Sequence, residues 1–505
     1  MPSSRPELSA TKANRSPAVG IYCDVGASRG AGHFMRSVAL GAELVRQGAS
    51  VTVAGAVSEL SWGEEITRRY GIETVNCERA GDLAALTSRL GWDGLILDSY
   101  TITASDLSTI DVPIVAIDDQ ALRPLPAQLV VNPNLSGHTR DYRDWPTRTV
   151  LRGAQYTLLR PELVAARPRA YRERDWTGRP QRVLIMCGGT DAGGAATLLT
   201  ERVVTTLPDV DVRILATGLP VDHLEIPPGS SVTTLATTPE IAPLIDWADL
   251  VVTTAGTTVW ELCCLGAPMA LVVVADNQRE HYQAALDAGI AVGLGTLPEL
   301  AAAPVLPHAV TLRTPSDLNR LGRRAWETVD GRGAHRVAEA VAPLVQQIAV
   351  RPATEADSAT IFAWRNDPTT RQASRSTAAV SWEGHQRWLE SVLDDEARYL
   401  LVVEHLGEAV AVLRFDQTAD TGQGSSPEWE ISINLAPARR GSGLAAPVVH
   451  AGHAWLRQRL PQQSGFGAVT AETRAGNGPM LATFHRCGYR EISRDDNWVQ
   501  LRYEL

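Results

Sequence analysis

His33 stands in the run Gly30-Ala31-Gly32-His33-Phe34-Met35-Arg36, where residue types and spacing together suggest chemistry. The apolar run Val19-Gly20-Ile21-Tyr22-Cys23-Asp24 precedes it and suits a buried strand. Met35, Val38, Ala39, Leu40, Ala42, Leu44 and Val45 follow at helical spacing. The glycines therefore fall on a strand-to-helix turn, and His33 falls in the first helical turn. Gly30 and Gly32 permit a tight bend and close approach of a ligand to the backbone. Free N–H groups at a helix start suit an anion such as a phosphate. A histidine held there can take a proton from water near neutral pH. The alternative is a packed, structural His33.

Other polar residues sit just past apolar runs. Leu95-Ile96-Leu97-Asp98 leads into Ser99-Tyr100, and Pro113-Ile114-Val115-Ala116-Ile117 closes on Asp118-Asp119. Open α/β sheets bind ligands at strand carboxyl ends, so Asp98, Tyr100, Asp118 and Asp119 are site candidates. The acids equally suit caps of following helices. Together with Val51–Ala54 and Leu129–Asn132, these runs alternate with helical stretches, which predicts a parallel sheet with helices on both faces. Residues 167–181 are rich in Arg and Pro and read as a linker. A second strand–helix series follows. Val183–Cys187 leads into Gly188-Gly189-Thr190-Asp191, Leu250–Thr253 into Ala255-Gly256-Thr257-Thr258-Val259-Trp260-Glu261, and Met269–Val274 into Asp276-Asn277-Gln278. Two Rossmann-like lobes with a cleft between them is the expected architecture.

Bulk properties bound the function. The chain has 505 residues, enough for about three domains, with 44% hydrophobic and 21% charged residues. Its net charge of −10 argues against nucleic acid as a partner, because phosphate neutralisation needs a basic face. Six cysteines without CxxC spacing read as reduced thiols, the plain reading being a cytoplasmic location. Residues 1–17 read as a disordered tail without the apolar core of a signal peptide. No run approaches the roughly 18 apolar residues of a membrane span.

The motifs occur in a telling order. Gly30-x-Gly32-His33-x-x-Arg36, Asp98-Ser99-Tyr100, Ile117-Asp118-Asp119, Leu158-Leu159-Arg160-Pro161-Glu162, Gly188-Gly189-Thr190-Asp191 and Ala255-Gly256-Thr257-Thr258-x-x-Glu261 follow one another. Over about residues 18–345 the chain resembles the UDP-sugar hydrolases of pseudaminic acid biosynthesis, which themselves resemble GT-B glycosyltransferases. The resemblance implies hydrolysis of UDP-2,4-diacetamido-2,4,6-trideoxy-β-L-altropyranose to free sugar and UDP, with His33 catalytic and no metal. On this reading His33 holds the attacking water and Tyr100 supports the water or the sugar. Gly30, Gly32, Arg36 and Asp98 belong to the substrate side. The diphosphate meets the helix starts at Gly189-Thr190 and Gly256-Thr257-Thr258. Glu261 accepts the ribose hydroxyls, and Asn277 and Gln278 touch sugar or phosphate. The bland readings stay open: Glu261 as a helix-start carboxylate favoured by the dipole, Arg36 as an ion-pair or packing residue. Asp98, Asp118, Asp119 and Asp191 are not expected to form a metal cluster.

Past residue 348 the pattern changes. Ala349–Ala353, Leu400–Val403 and Ala409–Leu413 read as strands, and Glu428–Ile433 alternates as a half-exposed strand does. Arg440-Gly441-Ser442-Gly443-Leu444-Ala445 then precedes an apolar helical stretch, an arrangement that exposes successive N–H groups to an anion. This loop, with Asn477-Gly478-Pro479-Met480 and Phe484-x-x-Cys487-Gly488-Tyr489, resembles the GNAT N-acetyltransferases. The resemblance implies acetyl-CoA as co-substrate, held by Leu435, Arg440, Gly441, Ser442, Gly443, Ala445 and Asn477. Trp364-Arg365-Asn366-Asp367 and His385-x-x-Trp388 resemble acceptor-side elements of its sugar-nucleotide subgroup, although His385 and Trp388 also suit the core face of one helix. Many members place a tyrosine general acid where this chain has Phe484. Glu430 is a candidate proton relay, or an ordinary strand carboxylate.

The resulting expectation is a tail (1–17), an N-terminal lobe with the catalytic histidine (18–166), a UDP-binding lobe (167–345) and a GNAT domain (348–505). The expected function is bifunctional: acetylation of a UDP-linked 4-amino sugar, then hydrolysis of the product. The alternatives are a GT-B transferase acting on an acceptor other than water, and a non-catalytic nucleotide-sugar-binding scaffold with an active GNAT domain.

Overall fold

The computed structural model describes residues 15–25, 32–60, 62–120, 123–147, 149–173, 179–187, 191, 194–216, 224–236, 238, 240–307, 314–419, 427–460 and 467–505. The tail expected at 1–17 lies outside them up to residue 14. The chain divides into two compact units. One comprises residues 18–46 and 50–337, the other residues 338–505 with the short stretches 15–17 and 47–49.

The first unit holds two parallel sheets. The first contains β1 (Ala18–Cys23), β2 (Ser50–Gly55), β3 (Glu73–Asn76), β4 (Gly94–Asp98), β5 (Ile114–Ile117), β6 (Leu129–Asn132) and β7 (Thr149–Arg152), in the order β3-β2-β1-β4-β5-β6-β7. Helix α1 (Gly32–Arg46) links β1 to β2. Helices α2 (Gly63–Arg69) and α3 (Leu83–Leu90) follow, and α4 (Pro161–Ala166) leaves the sheet. All six neighbouring pairs are parallel, and the central strands β4, β5 and β6 are buried along their whole length. That explains their unbroken apolar sequences, since a parallel strand is covered on both faces.

The second sheet repeats the plan with β8 (Arg182–Met186), β9 (Asp211–Leu215), β10 (Ser231–Leu235), β11 (Leu250–Thr254), β12 (Met269–Val273) and β13 (Val292–Thr296). Their order is β10-β9-β8-β11-β12-β13. Its helices are α5 (Ala195–Thr206), α6 (Ala242–Trp247), α7 (Thr258–Leu265), α8 (Arg279–Asp287), α9 (Leu297–Ala302), α10 (Pro315–Thr328) and α11 (Gly333–Val345). Two apolar clusters cover its two faces, one around Leu184, Val251 and Leu271, the other around Val183, Val252 and Val272. In each sheet the strand order reverses beside its first strand, β1 or β8. Such switch points leave a crevice at the strand carboxyl ends.

The second unit is built on one mixed sheet. Its strands are β14 (Ile348–Pro352), β15 (Arg398–His405), β16 (Glu408–Ala419), β17 (Glu428–Leu435), β18 (Ala468–Arg474), β19 (Arg490–Arg494) and β20 (Trp498–Glu504), ordered β14-β15-β16-β17-β18-β20-β19. Helices α12 (Ser358–Asn366), α13 (Pro368–Ala373) and α14 (Trp382–Leu393) lie between β14 and β15. Helix α15 (Ala445–Arg457) follows β17, and α16 (Gly478–Arg486) follows β18. Only β17 and β18 pair in parallel, over Glu428–Ile431. Beyond Ile431, β17 continues against β16 alone, so its other edge is open from Ser432 to Leu435.

Candidate active site

Three strand ends of the first sheet build the first half of the site. Asp98 is the last residue of β4 and fully buried. Asp24, just past β1, accepts hydrogen bonds from Ser99 Oγ at 3.0 Å and from the Tyr100 backbone N–H at 2.8 Å, which fixes the loop after β4. Helix α1 brings His33 and Arg36, three residues apart on one face, over these ends. His33 Nδ1 lies 2.6 Å from Asp98 Oδ1. Arg36 donates to both Asp98 oxygens, at 2.6 Å from Nε and 2.5 Å from Nη2, and to Asp119 Oδ2 at 3.2 Å. Tyr100 OH donates to Asp119 at 3.0 Å, and its ring stands edge-on to His33 with centroids 4.6 Å apart.

Charge decides the protonation pattern. Burial works against the Asp98 carboxylate, but Arg36 and His33 override it and hold its pKa at about 2. Asp119 is lowered in the same way, against burial, by Arg36 and then His281. An ionised carboxylate only accepts hydrogen bonds, so His33 Nδ1 donates to Asp98, and in the neutral imidazole Nε2 then carries the lone pair. Burial and Asp119 push the Tyr100 hydroxyl above its ordinary range, so it is a donor, not a base. The group poised to accept a proton is therefore His33, with 14% of its side chain exposed.

The second lobe supplies the facing wall of a cleft of about 670 Å³. Gly256 and Thr257 lead into α7, whose first residue is Thr258 and whose fourth is Glu261. Glu261 Oε1 accepts from Arg160 Nη2 at 3.2 Å, while Arg160 Nη1 donates to Glu162 at 3.0 Å. Burial raises the Glu261 pKa, with Arg160 opposing. The helix starts of α1 and α7 meet across the cleft: a Cβ on Gly32 would lie 3.4 Å from Thr257 Oγ1. Asn277 lines the cleft in a single helical turn, and Gln278 in the same turn accepts from the Val274 N–H at 3.0 Å.

The structure thus brings together His33, Arg36, Tyr100, Glu261, Asn277 and Gln278, with Gly32, Gly256 and Thr257, around one cleft, and sets Asp98 behind His33 and Arg36. Thr258 opens the helix behind them. Gly30, Gly189 and Thr190 lie outside the described residues. Arg36 pairs with two carboxylates and also lines the cleft. The four acids do not converge. Asp191 caps α5 through the N–H groups of Ala195 and Ala196, and Asp118 accepts from the Gln120 N–H. Among the cleft residues that escaped the sequence reading are His281 and Arg140. His281 enters from the first turn of α8, its pKa lowered by burial against the pull of Asp119. Arg140 enters after β6 and pairs with Glu280. Arg160 was visible within Leu158–Glu162, but its partner Glu261 lies 101 residues away.

In the second unit, Leu435 ends β17, and Gly441 and Gly443 take φ angles of 75° and 81° just before α15. This left-handed geometry favours glycine, and successive N–H groups there form an anion-binding concavity. A Cβ on either would meet nothing within 4 Å, so the loop is open on that side. Ser442 Oγ donates to the Arg439 carbonyl at 2.5 Å, and Ala445 opens α15. Arg440 donates to Asp367 and Thr370, both at 2.7 Å. Asn477 caps α16 by accepting from the Met480 N–H at 3.4 Å. Glu430 is half-buried on β17, opposite Asp416 in register. His385 is buried against Phe362, Trp382 and Trp388 and meets Ser358 at 3.0 Å, which is the core reading. Phe484 packs on Tyr489 and has no proton to give.

Comparison with known proteins bears on both units. Comparison with curated proteins gives no match. Among solved structures, MurG of Acinetobacter baumannii is 15% identical, covering 64% of this chain and 99% of its own, with a TM-score of 0.49. Spermidine N-acetyltransferase from Vibrio cholerae is 14% identical, covering 31% of this chain and 95% of its own, with a TM-score of 0.27. Ribosomal-protein-alanine N-acetyltransferase from Brucella melitensis is 23% identical, covering 31% and 99%, with a TM-score of 0.25. Residues 222–295 match the glycosyltransferase family 28 C-terminal domain, and residues 347–490 match the acetyltransferase (GNAT) domain. Two Rossmann-like lobes of GT-B type and a C-terminal α/β domain are the fold expected from the sequence, and the chain joins a glycosyltransferase-like part to a GNAT acetyltransferase domain.

Proposed function

We infer that the two-lobed unit hydrolyses a UDP-linked amino sugar and that the GNAT domain acetylates the amine of its precursor. The 2.6 Å contact between His33 Nδ1 and Asp98 carries this reading, because it leaves Nε2 as an oriented base at the cleft. Water held there attacks the anomeric carbon. Its oxygen forms the new bond, its proton passes to Nε2, and the bond to the diphosphate oxygen breaks, releasing UDP with inversion. The N-terminus of α7 faces the departing charge and stabilises it. Glu261, held by Arg160, is placed to accept the ribose hydroxyls, and Asn277 the sugar.

Acetyl-CoA fits the second unit on two observations. The Gly441–Gly443 loop offers N–H groups to a pyrophosphate, and the open edge of β17 at Ser432–Leu435 offers a strand for the amide-bearing arm to pair with. The amine attacks the thioester carbonyl, the C–S bond breaks, and the amine proton leaves as the amide forms. With phenylalanine at 484, the thiolate is protonated from elsewhere.

The two chemistries suit consecutive steps on UDP-2,4-diacetamido-2,4,6-trideoxy-β-L-altropyranose and its 4-amino precursor. The match to a glycosyltransferase domain favours a second reading, transfer of the sugar to an acceptor other than water. Incubation of wild type and His33→Ala with acetyl-CoA and the 4-amino precursor, followed by mass spectrometry, separates them. Wild type is expected to yield UDP and free diacetamido sugar, and the variant to stop at the acetylated UDP-sugar. Acetylation by wild type without UDP release would overturn the hydrolase reading and bring the transferase forward.

A further inference from the structure

A second cluster of chemistry-bearing residues lies within the unit of residues 338–505, and the reactions above make no use of it. Glu339, on the second half of α11, is fully buried. His450 and His453 stand three residues apart on one face of α15, both buried. His450 Nδ1 lies 2.9 Å and His453 Nδ1 3.0 Å from the same atom, Glu339 Oε1. The three donor atoms lie within 4.8 Å of one another, and no other such group occurs among the described residues. We propose that Glu339, His450 and His453 bind a zinc ion through Oε1 and the two Nδ1 atoms.

The donor set is one that zinc takes, two imidazoles and a carboxylate. Convergence is the first argument. Arg457 and Tyr503 OH already hold Glu339 Oε2, so the carboxylate is charge-matched without the histidines. Two imidazole rings nevertheless turn the same nitrogen toward its other oxygen. The outer contacts are the second argument. Ligating histidines are held at their far nitrogen, and ligating carboxylates are hydrogen-bonded in turn. Here His453 Nε2 meets Tyr489 OH at 2.8 Å, His450 hydrogen-bonds Cys487, and Tyr503 stacks on the His453 ring at 4.4 Å. Tetrahedral zinc with bonds of about 2.0–2.1 Å separates its ligand atoms by about 3.4 Å. The two nitrogen–oxygen spacings, 2.9 and 3.0 Å, need to open by only about half an ångström. Because all three ligands are buried, the ion would be captured as the unit folds and released only on unfolding.

The test is the metal content of the full-length chain, purified from zinc-supplemented culture and passed through chelator-containing buffer. Elemental analysis is expected to give about one zinc per chain, released to a chromogenic chelator only on denaturation. His453→Gln should lower the content at least tenfold while UDP release from the other unit stays within twofold of wild type. Should that variant fail to fold, cobalt-substituted wild type serves instead. Its absorption should show four-coordinate cobalt without a thiolate charge-transfer band. Wild type with less than a tenth of an equivalent overturns the proposal and leaves a hydrogen-bond network alone. Zinc retained by a folded His453→Gln, or a thiolate band in the cobalt protein, overturns it equally by placing the ion elsewhere.

Discussion

Asp98 is where the chemistry of the cleft can be tested with one atom. Asparagine in its place keeps the shape but must point an amide NH2 at either His33 or Arg36, both of which donate to the carboxylate. The His33 tautomer is then no longer imposed, and the base is lost from Nε2. Asp98→Asn is therefore expected to lower kcat for UDP release by about 10²–10⁴-fold with little change in KM, as measured by coupled detection of UDP. The same variant has a pH signature. The Asp98 pKa is held at about 2, below its ordinary 3.8, so the ionised pairing stabilises the fold above about pH 4 and is lost as pH falls toward 2. Denaturant titrations across that window should show a shallower acid loss in Asp98→Asn than in wild type. At neutral pH the variant should be less stable by about 1–3 kcal/mol, because charged hydrogen bonds to a buried guanidinium are gone. An unchanged acid limb would separate Asp98 from the acid sensitivity of the unit.

At the scale of elements, what could be read in the sequence follows from burial. Central strands β4, β5, β6, β8, β11 and β12 are covered on both faces and announce themselves as apolar runs. In the first unit the strands that escaped the reading, β3, β7, β10 and β13, are the edges of their two sheets; in the second unit β18, β19 and β20 escaped it as well. Each of those four edges mixes polar and apolar residues, as Glu73-Thr74-Val75-Asn76 and Ser231-Val232-Thr233-Thr234-Leu235 do, because an edge strand is only partly covered. The site follows the same logic. Asp98 at a strand end, and His33 and Glu261 in the first turn of a helix, were visible through the turn beside them. His281 carries no such mark, since its place in the cleft depends on how α8 is set. Packing also overrides propensity at Gly333, the first residue of α11. A Cβ there would lie 2.1 Å from the Thr157 carbonyl oxygen, which is backbone and cannot swing aside. Helix propensity favours Gly333→Ala by up to about 1 kcal/mol. Overpacking argues the reverse, a loss of about 1–3 kcal/mol. The denaturation midpoint is expected to fall, and a rise would mean that the contact with Thr157 relaxes freely.

For the whole molecule, the question is whether the two reactions proposed for one chain belong to separate catalysts. Each unit has its own core and its own glycine loop or helix start proposed to meet an anion, and the groups proposed for one reaction make their hydrogen bonds within the same unit. Substitutions at sites with no shared partners act independently. Gly443 offers the cleanest perturbation of the GNAT loop. Its φ of 81° is strained for a β-branched residue, while the space around its Cβ is open, so Gly443→Val disturbs the loop without a clash. His33→Ala is expected to abolish UDP release and leave acetyl transfer, followed as CoA thiol, within twofold of wild type. Gly443→Val should lower acetyl transfer at least tenfold while hydrolysing the already acetylated UDP-sugar at the wild-type rate. Given only the 4-amino precursor and acetyl-CoA, Gly443→Val should then release little UDP, because the substrate of the second step is not made. Rapid UDP release from the unacetylated precursor would reverse the proposed order, since the cleft would then accept the free amine. A tenfold loss of hydrolysis on the acetylated substrate would instead show that the two units depend on one another, and that the chain is a single coupled catalyst.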